Sequence, residues 1–383
     1  NSASTYEEGA KTTNAVLTEL VNVRRTGVFV IAATNFVDRL DPAAVREGRF
    51  DFKIEIPAPD SEARRHLIKR QCKARIAPDT VETAVRRWEG FSVARIAAVV
   101  EEAGRMVKGG EVTFDVLKGA LRTIQGRKGS IPEDTPTLAQ LTMGEDNRNR
   151  LVALARRMDK IMEIEAMGGS VPRGVLFYGP PGTGKTLTAR ALAKTANWAF
   201  LSISGMDLLA DPKRIDAIVE EASELRPCIV FIDEADDVFR DRRYSNTATV
   251  TNKLLAAMDG AGGKVPDILY IAATNHPDTM DPAALRGGRF TEKIEFGLPD
   301  EETVFAFLKK WKAETKAQFA ANFSLQKAAE RLAGHSIANV KEILQMAINN
   351  AIARIDLDAG TARVSMQDLD LAIQSVQGDF VEE

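Results

Sequence analysis

Residues 179–186 read GPPGTGKT and satisfy every fixed position of the phosphate-loop pattern GxxxxGK[ST]. An apolar run, Gly174–Tyr178, comes just before, and the helix-favouring run Leu187–Thr195 follows. A strand–loop–helix unit of this kind belongs in a parallel sheet flanked by helices, so the chain is expected to be α/β. Glycines allow backbone N–H groups to curl around phosphate oxygens, and the helix behind them presents its positive end. Gly179, Pro180, Pro181, Gly182, Thr183 and Gly184 would form that cradle, with Leu187 in the first helical turn. Lys185 would reach the β- and γ-phosphates, and the Thr186 hydroxyl would ligate Mg2+. These observations imply a nucleoside triphosphate site.

A long internal repeat sets the domain organisation. Ile31–Asp60 (IAATNFVDRLDPAAVREGRFDFKIEIPAPD) and Ile271–Asp300 (IAATNHPDTMDPAALRGGRFTEKIEFGLPD) align without a gap, identical at about 19 of 30 positions. Two further echoes follow each copy: Gly90–Ala103 with Gly334–Ala347, and Val112–Gly126 with Val364–Gly378. A repeat of this length is a duplicated domain rather than a solenoid unit. One full copy would occupy roughly residues 140–383. The other, over roughly 1–126, lacks a phosphate loop and reads as the back half of a domain, with Asn1–Ala10 as the end of a mobile loop. Such a half would lack the central strands of its sheet and expose a raw edge, so the sequence is expected to be part of a longer polypeptide. Gln125–Thr137 (QGRKGSIPEDTPT) has linker composition, and Arg148–Met162 carries helical apolar spacing.

Bulk properties narrow the function classes. A chain of 383 residues with 27% charged residues and a net charge of −3 shows no basic excess of the kind that nucleic-acid binding uses. Cys72 and Cys228 are far apart, which suits a reducing compartment and points to a cytoplasmic protein; Cys228 opens an apolar run and reads as a buried small hydrophobe. No stretch has transmembrane length. Only three histidines occur, His66, His276 and His335, and no HExxH, which excludes a zinc-protease site of that type here.

The second constellation is Ile229–Asp236 (IVFIDEAD), an apolar run ending in Asp-Glu about 47 residues beyond the phosphate loop. It reads as a buried strand with its acids emerging at the carboxyl end. Asp233 there can hold the Mg2+ shell, and Glu234 can orient and deprotonate a water.

With GPPGTGKT, IVFIDEAD, IAATN at 271–275 and DPAALRGGRF at 281–290 in place, the chain resembles a tandem AAA+ ATPase. It is similar to the branch containing the valosin-containing protein, the N-ethylmaleimide-sensitive fusion factor and the membrane-bound AAA proteases. The resemblance implies AAA+ modules, each a parallel sheet flanked by helices and followed by a helical lid. On that basis residues 1–60 are the rear of a first large subdomain and 61–125 its lid. A linker spans 126–139, the second large subdomain 140–300 and its lid 301–383. Expected strands include Gly174–Tyr178, Cys228–Ile232, Ile268–Ala272 and Ile294–Phe296.

The resemblance also assigns roles. Asn275 becomes the sensor of the attacking water or γ-phosphate. Arg286 and Arg289 become arginine fingers that reach a neighbour's site, where a planar guanidinium suits the charge developing on the γ-phosphate. Asn35, Arg46 and Arg49 are their counterparts in the first copy. Gly334 and His335 match the lid turn near adenine and ribose, although Ile337-Ala338-Asn339 replaces the Gly-Ala-Asp of many relatives. ATP and Mg2+ are the implied ligands, and a homo-oligomeric ring, hexameric by the resemblance, with a protein client and an adaptor, is the implied assembly. The reading is an ATP-driven protein-remodelling motor; the alternative is a scaffold whose module binds ATP to hold the oligomer together. One departure favours the alternative: the segment after Leu208-Leu209 (ADPKRIDAIVEEASELRPC) is short and has no aromatic residue where threading relatives carry an aromatic–hydrophobic–Gly step.

Overall fold

The computed structural model describes residues 15–23, 26–34, 37, 40–44, 49–50, 52–126, 129–240, 248–259, 266–281, 285, 289–354 and 362–378. The chain divides into two compact units, Asn1–Ala58 and Pro59–Glu383. Asn1–Ala10, Asn35, Arg46 and Arg286 lie outside the described residues.

In the first unit residues 15–23 are helical, while 28–34 and 52–57 are irregular, and no strand occurs among its described residues. Phe29 and Ile31 are 95% and 92% exposed. Their counterparts in the second copy, Leu269 and Ile271, are completely buried in a strand. A β-branched apolar run becomes a strand only where neighbours take up its N–H and C=O groups. The described residues of the first unit contain no such neighbour.

The second unit begins with a helical bundle: Ser61–Gln71, Pro78–Arg87, Val93–Val107 and Phe114–Gln125, with β1 (Arg75–Ile76) pairing parallel to β2 (Glu111–Val112). Its apolar faces meet in one core that includes Ile68, Val81, Ile96, Val100 and Leu117. The α/β part follows, with β3 (Gly174–Tyr178), β4 (Ala199–Ser204), β5 (Cys228–Asp233), β6 (Ile268–Thr274) and β7 (Phe290–Glu295). A second bundle closes the unit: Glu301–Glu314, Leu325–Leu332, Ile337–Ala353 and Met366–Gly378, with β8 (Gln318–Phe319) pairing parallel to β9 (Arg363–Val364). The duplication persists in the capping residues. Asp60 and Asp300 each accept the N–H of the residue three positions on, and so do Ser92 and Ser336.

The five long strands form one parallel sheet in the order β4-β5-β6-β3-β7. Alternation sorts their side chains between two cores. Leu176, Val230, Ile232, Tyr270 and Ala272 pack on one face with the helices Arg214–Leu225 and Ala248–Asp259. Val175, Phe177, Ile229, Phe231, Leu269 and Ile271 pack on the other with Leu151, Leu154, Ala189 and Leu192. Burial of each large apolar side chain stabilises by roughly 1.5–3 kcal/mol. Exposed ion pairs contribute about 0–1 kcal/mol each, so the two-sided sheet core dominates.

Three strands lie where the sequence places them. β7 starts earlier than expected, at Phe290 rather than Ile294, because Phe290 is buried and pairs with Gly174 while the polar residues between alternate outward on an edge strand. The helical run expected over 148–162 is two helices, Glu145–Asp159 and Ile161–Ala166. The segment of linker composition is tied down at several points: Phe200 donates its N–H to the Gly129 carbonyl, and Lys194 Nζ donates to the carbonyls of Glu133 and Thr135.

Arginines join the first bundle to the base of the sheet, where β5 and β6 begin. Arg87, 6% exposed, donates to Asp267 at 2.7 Å and Glu165 at 2.8 Å. Arg226 donates to the Glu89 carbonyl at 2.6 Å, and its guanidinium lies 4.8 Å from the Phe91 ring centroid. Arg122 donates to the carbonyls of Asn197 and Pro227, each at 2.8 Å. Burial pushes the Asp267 carboxyl up, against the opposing pull of Arg87 and Arg226. Arg87→Ala should therefore strand a buried carboxylate and lower unfolding stability by on the order of 3–5 kcal/mol at neutral pH. The deficit should narrow as pH falls, because a protonated Asp267 needs no countercharge. Denaturant unfolding of both proteins across pH checks this; an equal deficit at every pH would show that the buried charge is not its cause.

Candidate functional site

The candidate site residues of the second copy emerge from the carboxyl ends of three adjacent strands, β5, β6 and β3. That edge is where open parallel sheets place their ligand crevices. After β3 the backbone turns at Gly179 (φ 138°), and a side-chain carbon there would lie 2.2 Å from the Phe296 carbonyl oxygen. Gly182 (φ 73°) is less crowded but still close, 2.8 Å from Ser336 Oγ and 2.9 Å from Ala338 Cβ if a side chain were added. Both positions require glycine. Helix Lys185–Ala196 then starts with Gly184 as its cap and no side-chain capping bond, so its first N–H groups remain available to an anion.

Lys185 is buried, and its Nζ donates to the carbonyls of Gly179 and Pro180 and to Asn275 Oδ1, at 2.7, 2.9 and 2.7 Å. All three acceptors are neutral, so this contact shell leaves the positive charge uncancelled. Burial holds the ammonium below its ordinary pKa, partly opposed by the charges of Asp233 and Asp236. A cation pre-placed beside a glycine cradle and a helix N-terminus fits a phosphate chain.

Thr186 Oγ1 donates to Asp233 Oδ2 at 3.0 Å. Together they offer two hard oxygens, the kind Mg2+ takes alongside water and phosphate oxygens. Among the described residues no group of three or more His, Cys, Asp or Glu could hold a metal ion. Glu234 follows at φ 51°, ψ 45°, a left-handed conformation uncommon for a residue with a side chain; it is exposed, and its N–H donates to Asp233 Oδ1. Such strained positions gather at working sites, where the surrounding fold holds them. Asn275, also exposed, follows β6 directly.

The second bundle closes over the phosphate loop. Gly334 (φ 80°) donates its N–H to the Pro299 carbonyl, Ser336 caps the helix Ile337–Ala353, and the Ala338 N–H donates to the Gly182 carbonyl at 3.2 Å. The Nδ1 of His335 is buried and has no hydrogen-bond partner. Ser336, one residue on, does the capping, so the cap does not account for His335. Its orphaned ring nitrogen fits a site completed by a ligand.

The arginines differ among themselves. Arg289 chelates Asp259 within its own chain, Nη2 to Oδ2 at 2.7 Å, a contact that holds the Asp259 carboxyl below its usual range. In the first unit, Arg49 Nη1 donates to the Ala43 carbonyl at 2.7 Å. Arg286, Arg46 and Asn35 lie outside the described residues. Cys228 is fully buried, and burial pushes its thiol up to about 12, so it is a packing residue without thiolate chemistry. Where a projecting pore loop would lie, the helices Gly205–Ala210 and Arg214–Leu225 are joined by three residues, and Asp207 pairs with Arg214 across the joint at 2.7 Å. Among the described residues no helix is long and apolar enough to cross a membrane. Sequence reasoning missed the Asp259–Arg289 pair and a hydrogen bond from Thr274 Oγ1 to Asp236 Oδ1 at 2.7 Å, because both join side chains 30 or more residues apart.

Comparison with known proteins places the chain among similar sequences. The model of the ATPase family associated with various cellular activities (AAA) matches residues 1–58 and 175–298. The chain is 32% identical to Protein CdcH of Halobacterium salinarum, over 88% of this chain and 49% of that protein. It is 31% identical to the cell division cycle protein 48 homolog of Archaeoglobus fulgidus, over 84% of this chain and 48% of the relative. Protein SAV of Sulfolobus acidocaldarius is 30% identical, over 89% and 48%. The chain thus spans about half the length of these relatives. Both blocks matched by the family model end within the 30-residue repeat segments, and the second runs from β3 past β7 through the phosphate loop and the acidic strand end. Residues 1–58 and 175–298 thus match the AAA family of ATPases, and most of the chain is similar to these relatives.

Proposed function

We propose that the second module binds MgATP and hydrolyses it within a homo-oligomeric ring, hexameric as the family resemblance implies. Turnover would drive the remodelling of a protein client that an adaptor delivers in the cytoplasm. The observation that carries this reading is the convergence of Lys185, Thr186–Asp233, Glu234 and Asn275 on one edge of the sheet. Lys185 and the loop N–H groups hold the phosphates. Thr186 and Asp233 would hold Mg2+, which when bound supplies positive charge against the phosphate oxygens. Glu234 accepts a proton from the attacking water, and Asn275 orients that water. Arg286 and Arg289 from the neighbour complete the site, while Gly334 and His335 border the nucleoside. Asn35, Arg46 and Arg49 have the corresponding roles in the first module.

The scaffold reading draws on one observation, the stapled three-residue joint between Gly205–Ala210 and Arg214–Leu225. That joint offers no projecting aromatic grip, so the second module supplies hydrolysis and assembly rather than traction on an unfolded chain. Intact hydrolytic residues favour the motor over a passive scaffold.

One experiment tests the ATP binding common to both readings, and a second separates them. Lys185→Ala should weaken ATP binding at the second site in a titration, whereas Glu234→Gln should retain ATP and lose turnover by about 100- to 10,000-fold. Undiminished hydrolysis in Glu234→Gln would remove the motor reading for this module.

The arginine finger has a sharper test. As half of a partly exposed ion pair with Asp259, Arg289 would contribute about 0–1 kcal/mol, and its loss would leave turnover intact. As a finger, Arg289→Ala should keep ATP affinity and cut hydrolysis by roughly 1,000-fold or more. Mixing Arg289→Ala with Lys185→Ala subunits should restore part of the activity at boundaries where an intact site meets an intact finger. Full second-site activity in a verified monomer would rule out action in trans.

A further inference from the structure

Thr274 is the last residue of β6 and is almost completely buried. Its backbone pairs with Tyr178 in the sheet register, and its carbonyl accepts the Gly179 N–H at 3.3 Å, so it is tied to the first residue of the phosphate loop. Its hydroxyl makes two further bonds. It lies 2.7 Å from Asp236 Oδ1 and 2.9 Å from the His276 backbone nitrogen. Chemistry sets the direction of both: an ionised carboxylate only accepts, and an amide N–H only donates. The hydroxyl proton therefore goes to Asp236, and the oxygen accepts from His276.

Asn275 stands between these contacts. On one side Thr274 is fastened to the phosphate loop and to Asp236; on the other the His276 N–H is drawn back onto the Thr274 hydroxyl. Asn275 itself is exposed, and its Oδ1 accepts from Lys185 Nζ. Asp236 lies in the short helix Ala235–Val238 that directly follows Glu234. One hydroxyl thus links the segment carrying the proposed base to the turn carrying the proposed sensor.

We propose that Thr274 and Asp236 are positioning residues for hydrolysis at the second site, acting through Asn275 by fixing the turn that presents it. The inference rests on the reading of Asn275 as the residue that orients the water. Its effect belongs to the chemical step, since neither side chain is among those that hold phosphate or metal.

The test uses the purified protein and the part of its ATP hydrolysis that Lys185→Ala abolishes. Thr274→Val keeps the shape and removes both hydroxyl bonds. It should lower kcat by on the order of 10- to 100-fold, the usual cost of losing a partner that orients a working side chain. ATP affinity should change less than about twofold, because the Lys185 contacts remain. Thr274→Ser should recover most of the rate. The decisive arm repeats Thr274→Val in an Asn275→Ala background, where its further cost should fall below about threefold, since residues acting as one unit are not additive. A merely structural hydroxyl would cost the same factor in both backgrounds, and that result overturns the proposal, as does an unchanged kcat in Thr274→Val alone. Should Thr274→Val not fold, Asp236→Ala at its partly exposed position carries the same cycle. The two readings fail separately. Wild-type hydrolysis in Asn275→Ala sinks the sensor reading and this inference together, whereas a slow Asn275→Ala beside a fast Thr274→Val sinks this inference alone.

Discussion

A strand that donates and accepts along both edges cannot exist alone, and this constraint organises the second unit. Residues 268–274 (ILYIAAT) are strand β6 between β5 and β3, whereas residues 28–34 (VFVIAAT) share most of that sequence and are irregular. Ile271 is fully buried and Ile31 almost fully exposed. Side-chain propensity is nearly the same in the two segments, so the difference lies in the neighbours. Parallel strands also need apolar cover on both faces, which the alternation of Val175, Leu176 and Phe177 and of Ile229, Val230 and Phe231 between two cores provides.

Once the sheet forms, the site follows with little extra machinery. All five strands point the same way, so the residues after β3, β5 and β6 arrive at one edge together. Lys185 then joins two of these strand ends through a single ammonium, touching Gly179 and Pro180 after β3 and Asn275 after β6. Thr186 and Asp233 join the third. The site is assembled by short contacts between strand ends, and its precision comes from the rigidity of the strands beneath.

Much of this was legible because the relevant signals are local. The glycine loop, the apolar runs of β3, β5 and β6 and the Asp-Glu pair each lie within a few residues, and the duplicated block supplied a second copy of the sensor turn. Edge strands were harder to read. β4 (AFLSIS) carries serines, and β7 begins with the polar stretch after Phe290, because an edge strand keeps part of its length in water. Long-range polar pairs left no local signal at all. Arg87 and Asp267 are 180 residues apart, Thr274 and Asp236 are 38 apart, and nothing in either neighbourhood announces its partner. Nor does composition reveal that residues 129–135 are fastened to Phe200 and Lys194 rather than left free.

The three-residue joint and the proposed hydrolytic residues lie in separate parts of the sheet for a topological reason. The joint at Asp211–Lys213 follows β4, which is an edge strand of the sheet and contributes no residue to the phosphate site. Trimming a connection there removes no strand pairing, and the Asp207–Arg214 pair bridges the helices that remain. A comparable deletion after β5 or β6 would take away Glu234 or Asn275 and the contacts between strand ends that hold them. A short connection at the edge is therefore compatible with an undisturbed centre, given the sheet order. The length of the connection after β4 is thus independent of the contacts that join the ends of β3, β5 and β6.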